Sequence, residues 1–464
     1  MARTANPNRI SKVDVTNDTL TGRAGIALFV RYLTTIGLLP LLGMAFGRMR
    51  KSAKGLAICQ LFQQVFCLLF DGTSRHLRYF DALAQDKGYA AVIETDEKEM
   101  ASSHRIKRFF RGFGLWCLPA FRKILTMLFE WRLRIERPAE VRLTLDTMVM
   151  DNDEAQKRQG VEPTYKKKKG FQPLQMIWNH KIVDAVFRGG KKHGNHGATA
   201  ENMIRRVVST IRRACGPTVF IVLRLDSGFF DEAILGVLDE LDVAFIVSGK
   251  MYQSIKDYVA AQGREGWGVY ANATQRWEYT EFGWRCESWT QLYRTLYTRP
   301  VYEEGQGLLE FARPDNVILT NLGVRPQLLE HCSEEQRSQW LNPETIIACH
   351  HERGADELPH RGLKDFGFEQ LPFHGFYANC AFYYCMVIAF FLFETFKEDV
   401  LAEVIPVTSY ATTVRRKIVD LAAKIIKTGG GIILKVTRHA METLAFTKLW
   451  GLSNAAMPIP PSLW

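Results

Sequence analysis

No C-x-x-C pair occurs among the nine cysteines, and the closest two, Cys380 and Cys385, sit inside an apolar run. An odd count without metal-type spacing argues against a zinc site or a disulfide framework and leaves reduced thiols in a cytoplasm. Internal repeats and low-complexity tracts are missing too, which removes repeat architectures. The polar stretch Met1–Thr19 lacks signal-peptide architecture, so a cytoplasmic, nucleoid-associated protein is expected. Acidic residues are in deficit, 49 against 60 basic ones, giving a formal net charge of +11. Such a surplus points to a polyanionic partner. Long apolar runs are scarce. Phe376–Phe396 has the length a bilayer needs, but it carries Asn379, Glu394 and two cysteines. A buried helix and no membrane association are expected.

What is present divides the 464 residues into stretches of different character, more than one ordinary core would hold. Up to about Arg137 apolar residues recur at helical spacing, with basic clusters at Arg48–Lys54, at Arg75, His76 and Arg78, and at Arg105–Arg111. From Val141 to Lys250 apolar strand-like runs alternate with helix candidates, the pattern of an α/β sheet. From Met251 to Asn342 tryptophans alternate with Tyr, Thr, Arg and Glu, which is antiparallel β character. Beyond Lys397 short basic helices are expected.

Three acidic residues stand out against this background. Asp146 ends the apolar run Val141–Leu145, and Asp226 ends Val219–Leu225 and runs directly into Ser227-Gly228. A strand-end aspartate is also an ordinary turn former. The third, Glu357, falls in His350-x-x-Arg353-x-x-x-Glu357-x-x-x-x-x-x-Lys364. At about 100° per residue these four positions project within roughly a 60° arc, so one helix would present them together. Pro359 opposes a single helix; a start near Leu358 would separate His350 and Arg353 from that face. Carboxylates so gathered can hold two Mg²⁺ ions roughly 3.5–4 Å apart for phosphoryl transfer. His350, Arg353 and Lys364 would contact DNA phosphates, and Lys166, Lys167, Lys168 and Lys169 would track backbone from a loop.

On these residues the chain resembles DDE transposases of bacterial insertion sequences, in the branch with a Y-x(2)-R-x(3)-E-x(6)-K signature. Every spacing is kept, and His350 stands where the family has tyrosine. Leu143-Thr144-Leu145-Asp146-Thr147, Leu223–Phe229, Phe376-Tyr377-Ala378-Asn379 and Thr413–Lys417 resemble the flanking patterns of one subgroup. The resemblance implies an α/β, RNase H-like catalytic core interrupted by a mostly antiparallel β insertion, with helical regions at both ends. Drawn onto the chain, 1–137 is a helical DNA-binding region, 138–250 and 345–400 are the two parts of the core, 251–344 is the insertion and 401–464 is a basic helical tail.

It further implies an endonuclease and strand-transfer activity with catalytic and metal-binding Asp146, Asp226 and Glu357, using two Mg²⁺ ions for which Mn²⁺ can substitute. The implied partners are double-stranded DNA with terminal inverted repeats, target DNA, and a second copy in a synaptic complex. Family members that resolve ends through a hairpin stack a flipped base on an aromatic residue of the insertion. Trp267, Trp277, Trp284 and Trp289 qualify by location, with sheet packing as the alternative for each. A metal nuclease that cuts without joining and a catalytically inactive DNA-binding derivative are the competing readings.

Overall fold

A computed structural model describes residues 10, 12–49, 55–192, 196–301, 315–352 and 358–463, together with the backbone of Glu357. Nine strands form the central sheet: β1 (Glu140–Thr147), β2 (Leu174–Trp178), β3 (Lys181–Val186), β4 (Phe220–Leu225), β5 (Ala244–Ser248), β6 (Gly268–Ala271), β7 (Arg276–Trp284), β8 (Tyr293–Val301) and β9 (Asn316–Thr320). Their spatial order is β6-β7-β8-β9-β5-β4-β1-β2-β3. β1 and β4 pair in parallel, as do β4 and β5; all other neighbours are antiparallel. The Trp-rich stretch therefore continues the sheet outward from β5 instead of forming a separate one.

β4 lies in the middle of this sheet, and its Phe-Ile-Val-Leu-Arg-Leu sequence is buried at every position except Arg224. A strand covered on both faces needs a continuous apolar run, which is why this segment does not alternate.

The helix Phe376–Phe396 is apolar on all sides, the signature of a helix with no solvent face. Every residue from Ala378 to Phe396 is buried. Phe121 stacks on Tyr384 at 5.3 Å between ring centroids, and Phe110 meets Phe382 at 5.3 Å. On the opposite side Tyr383 Oη accepts from Gln175 Nε2 (2.7 Å), and Tyr384 donates to the Ala185 carbonyl (2.8 Å). The bilayer-length run is thus the core between the N-terminal helices and the sheet.

Those N-terminal helices include Ile58–Asp71, Ser103–Arg111 and Cys117–Glu136. Ile58–Asp71 stops at Gly72, whose φ of 64° suits a residue without Cβ. Arg132 of Cys117–Glu136 is buried and donates to both oxygens of Asp399 (2.9 Å each) and to Glu398 (3.2 Å). It clamps the N-terminal helices to the end of the apolar helix.

One expectation is corrected. Ala423–Thr428 is not part of a helical tail but a strand, paired antiparallel with Gly431–Val436 and with Thr19–Thr21. Gly429-Gly430 supplies the two-residue turn that returns the chain.

Candidate active site

The parallel pairing of β1 with β4 runs from Glu140↔Phe220 to Leu145↔Leu225. One step further along both chains stand Asp146 and Asp226. Adjacent strands lie roughly 4.8 Å apart, so the two carboxylates leave the sheet side by side at the same edge. Each is fixed by a backbone amide: Thr147 N–H donates to Asp146 Oδ1 (2.6 Å) and Gly228 N–H to Asp226 Oδ1 (2.8 Å). A Cβ on Gly228 would lie 2.9 Å from that same Asp226 oxygen, so glycine is what permits this seat.

The signature residues lie on two helices. His350 is near the end of Pro343–His351, whereas Glu357 opens Glu357–Phe366 and Lys364 lies on that second helix. The one-helix arrangement is therefore replaced by the one that Pro359 favours. Pro359 is third in its helix, where its missing N–H costs nothing because first-turn amides have no intrahelical partner. Arg353 and the Glu357 side chain lie outside the described residues.

What brings the Glu357 helix to the aspartates is His360. Its Nδ1 lies 3.7 Å from Asp146 Oδ2. Burial, reinforced by the charges of Lys364 and Lys166, pushes its pKa down to about 4. The imidazole is therefore neutral near pH 7, and its contact with Asp146 is a polar one and not an ion pair. Glu357 precedes His360 by three positions, and residues three apart share a helical face. The same arithmetic applied to the sequence would have marked His360, which the spacing signature passes over.

The other expected DNA contacts separate. His350 Nε2 is 2.9 Å from Ser248 Oγ at the end of β5, and Lys364 pairs with Glu369 at 2.7 Å. Lys168 sits between Asp151 (3.4 Å) and Asp153 (3.3 Å), and Lys169 donates to Gln156 (2.7 Å). Lys166 and Lys167 are exposed, Lys167 with a φ of 57° in the turn that closes on Thr164.

The four tryptophans differ as sharply. Trp289 is buried, Trp267 lies beneath the Arg299 guanidinium (4.0 Å), and Trp277 packs against His351 (4.5 Å). Trp284 is half-buried, donates to Ser254 Oγ (3.1 Å) and stacks with Phe230 at 6.5 Å. Phe230 follows Asp226 by four residues, so Trp284 is tied to the loop that carries the second aspartate.

Two carboxylates at neighbouring strand ends are the oxygen donors that a hard divalent cation takes, although among the described residues no group of three or more His, Cys, Asp or Glu side chains could hold a metal ion. His360 Nε2 is buried and without a partner among the described residues, a polar atom that the fold itself leaves unsatisfied.

Among solved structures, the chain is similar to a piggyBac transposase in a synaptic complex with hairpin DNA. The match covers 87% of this chain and 83% of that one at 11% identity and a TM-score of 0.44. No curated protein matches the sequence. Residues 5–455 match the family described as transposase DDE domain, group 1. With nearly the whole length matched, this chain belongs to the DDE transposase family.

Proposed function

We propose that this protein cleaves DNA at the inverted-repeat ends of an insertion sequence and joins the freed ends to target DNA in a cut-and-paste reaction. The observation that carries the reading is the register of β1 and β4, which sets Asp146 beside Asp226 under the helix that begins at Glu357. We assign β3-β2-β1-β4-β5, with β1, β4 and β5 mutually parallel, as the RNase H-like core. In that assignment 138–250 and 345–400 build the core, and β6–β9 arise within the insertion 251–344.

Asp146, Asp226 and Glu357 would hold two divalent cations, Mg²⁺ in the cell, and when bound these would supply the positive charge that an in-line displacement needs at its attacking and leaving oxygens. His360 holds Asp146 in place and keeps its own charge out of the site. Arg353, Lys364 and Lys166 orient the scissile strand, and Lys364 exchanges Glu369 for a phosphate when DNA enters. Of the four tryptophans, Trp284 is the stacking platform for a flipped base, since it combines partial exposure with attachment to the Asp226 loop. Two copies act together, one at each element end.

The test is Mg²⁺-dependent excision of a marker flanked by the native element ends, comparing wild type with Asp226→Ala and Glu357→Gln. Excision by wild type alone is expected, with loss of at least about a hundredfold in each variant, since metal positioning supplies several kcal/mol. Equal excision by either variant would remove that carboxylate from the site.

A further inference from the structure

We infer that a cationic groove leading away from the carboxylates is a binding track for the phosphodiester backbone of one DNA strand. This rests on the reading of the protein as a DNA-cutting enzyme and adds a site to it. One wall carries Arg75 and Arg78 from the turn after Ile58–Asp71, together with Lys107 and Arg111 from Ser103–Arg111; the other carries Arg158 and His374. Lys107 and Arg111 are four apart, so one helical face presents both.

The groove is built, not incidental. Its floor is the buried pair Leu77 and Phe373, and Phe373 packs on Phe110 at 5.2 Å. The segment bearing Phe373 and His374 is pinned by side-chain amides. Asn379 accepts from Phe373 N–H (2.8 Å) and donates to its carbonyl (2.7 Å), and Asn152 accepts from Leu371 N–H (3.1 Å). Asn152 also accepts from Arg158 (3.1 Å), which aligns that guanidinium with the same segment.

Among the described residues no carboxylate lines the groove. Among the described residues none of Arg75, Arg78, Lys107 and Arg111 forms an ion pair, whereas Lys168 and Lys364 do. The carboxylate whose field reaches Lys107 and Arg78 is Asp81, and its oxygens are taken by Ser103 N–H (2.8 Å) and Ser103 Oγ (2.7 Å). The cations of the groove outnumber the one carboxylate whose field reaches them, and a polyanion relieves the repulsion that is left.

The polyanion is DNA because the groove adjoins a depression that reaches the helix bearing Glu357. A neighbouring depression shares Arg75 and Gln370 with it and reaches Lys364, on the Glu357 helix; Asp151, Asp153, Glu154 and Glu369 line it too, the first two paired with Lys168 and Glu369 with Lys364. A strand leaving the carboxylates past Lys364 enters the cationic groove next. Contacts of this kind position DNA without reading its sequence.

The experiment measures binding of the full chain to a fluorescent duplex of arbitrary sequence across a salt series, comparing wild type with Arg78→Ala/Arg111→Ala and with Arg438→Ala as a distant control. Circular dichroism confirms folding, and Arg78→Lys/Arg111→Lys keeps the charges. Loss of two phosphate contacts makes the slope of log K against log salt shallower by about two. The lysine variant and the control keep the wild-type slope. An unchanged slope in the folded alanine variant, with wild type binding and cutting DNA, overturns the groove alone and leaves it to an acidic protein. Wild type that neither binds nor cuts DNA overturns the transposase reading and the groove with it.

Discussion

His360 Nδ1 lies 3.7 Å from Asp146 Oδ2, joining a helix of the second half of the chain to a strand of the first. The imidazole is buried and neutral, so it orients the carboxylate without competing for its charge. Groups that hold metal ligands typically affect metal affinity 10–100-fold. His360→Ala is expected to raise the Mg²⁺ concentration for half-maximal cleavage by about that factor. Weaker Mn²⁺ binding in the absence of DNA should accompany it. An unchanged metal requirement in both assays would reduce His360 to packing.

Gly228 controls the second aspartate. A methyl group there meets Asp226 Oδ1 at 2.9 Å and must displace it. Displacement of a reacting group by about 1 Å can cost on the order of a hundredfold in rate. Gly228→Ala is therefore expected to lower cleavage at least about tenfold while leaving DNA affinity at its wild-type value. Retained cleavage would mean that the loop yields without moving the carboxylate.

Glu394 gives stability a pH dependence. Burial raises its pKa from 4.5 to about 7, against the opposing effect of Lys397 at 2.9 Å. A raised carboxyl pKa means that the contribution is fully present below about pH 4.5 and is lost as pH rises through about 7. Glu394→Gln stays neutral, and Lys397 keeps the Val407 and Ser409 carbonyls as acceptors. From about pH 5 to pH 8 the unfolding free energy of the variant should gain on wild type by about 3 kcal/mol. Parallel pH profiles for the two proteins would contradict the assignment.

Arg132 tests the clamp between the N-terminal helices and the core. Removing its guanidinium leaves Asp399 and Glu398 without their shared cation, and breaking such a buried pair typically costs about 3–5 kcal/mol. Arg132→Ala should lower the denaturation midpoint accordingly, with Arg132→Lys intermediate. A loss below about 1 kcal/mol would show that the apolar contacts alone hold the two layers together.

The strands and the helix that carry the three candidate acidic residues were legible because their signals are local. An apolar run that breaks at Asp146 or Asp226 reports a buried strand and its end, and those strands form where the pattern places them. Pro359 likewise announces that Glu357 begins a helix instead of lying within one. The basic segment around Lys424 and Lys427 misled for the same reason. Its short β-strand is held by pairing with Gly431–Val436 and Thr19–Thr21, and the second partner is about 400 residues away.

The sequence by itself determined where strands end in carboxylates, that one apolar helix has no solvent face, and that the surface carries excess positive charge. Only the tertiary structure decided that β1 and β4 are parallel neighbours in register, that His360 meets Asp146, and that cations from two distant segments line one groove. Hydropathy and turn chemistry act between near neighbours in the chain. Register and side-chain convergence depend on contacts between residues far apart, which only the packed core fixes.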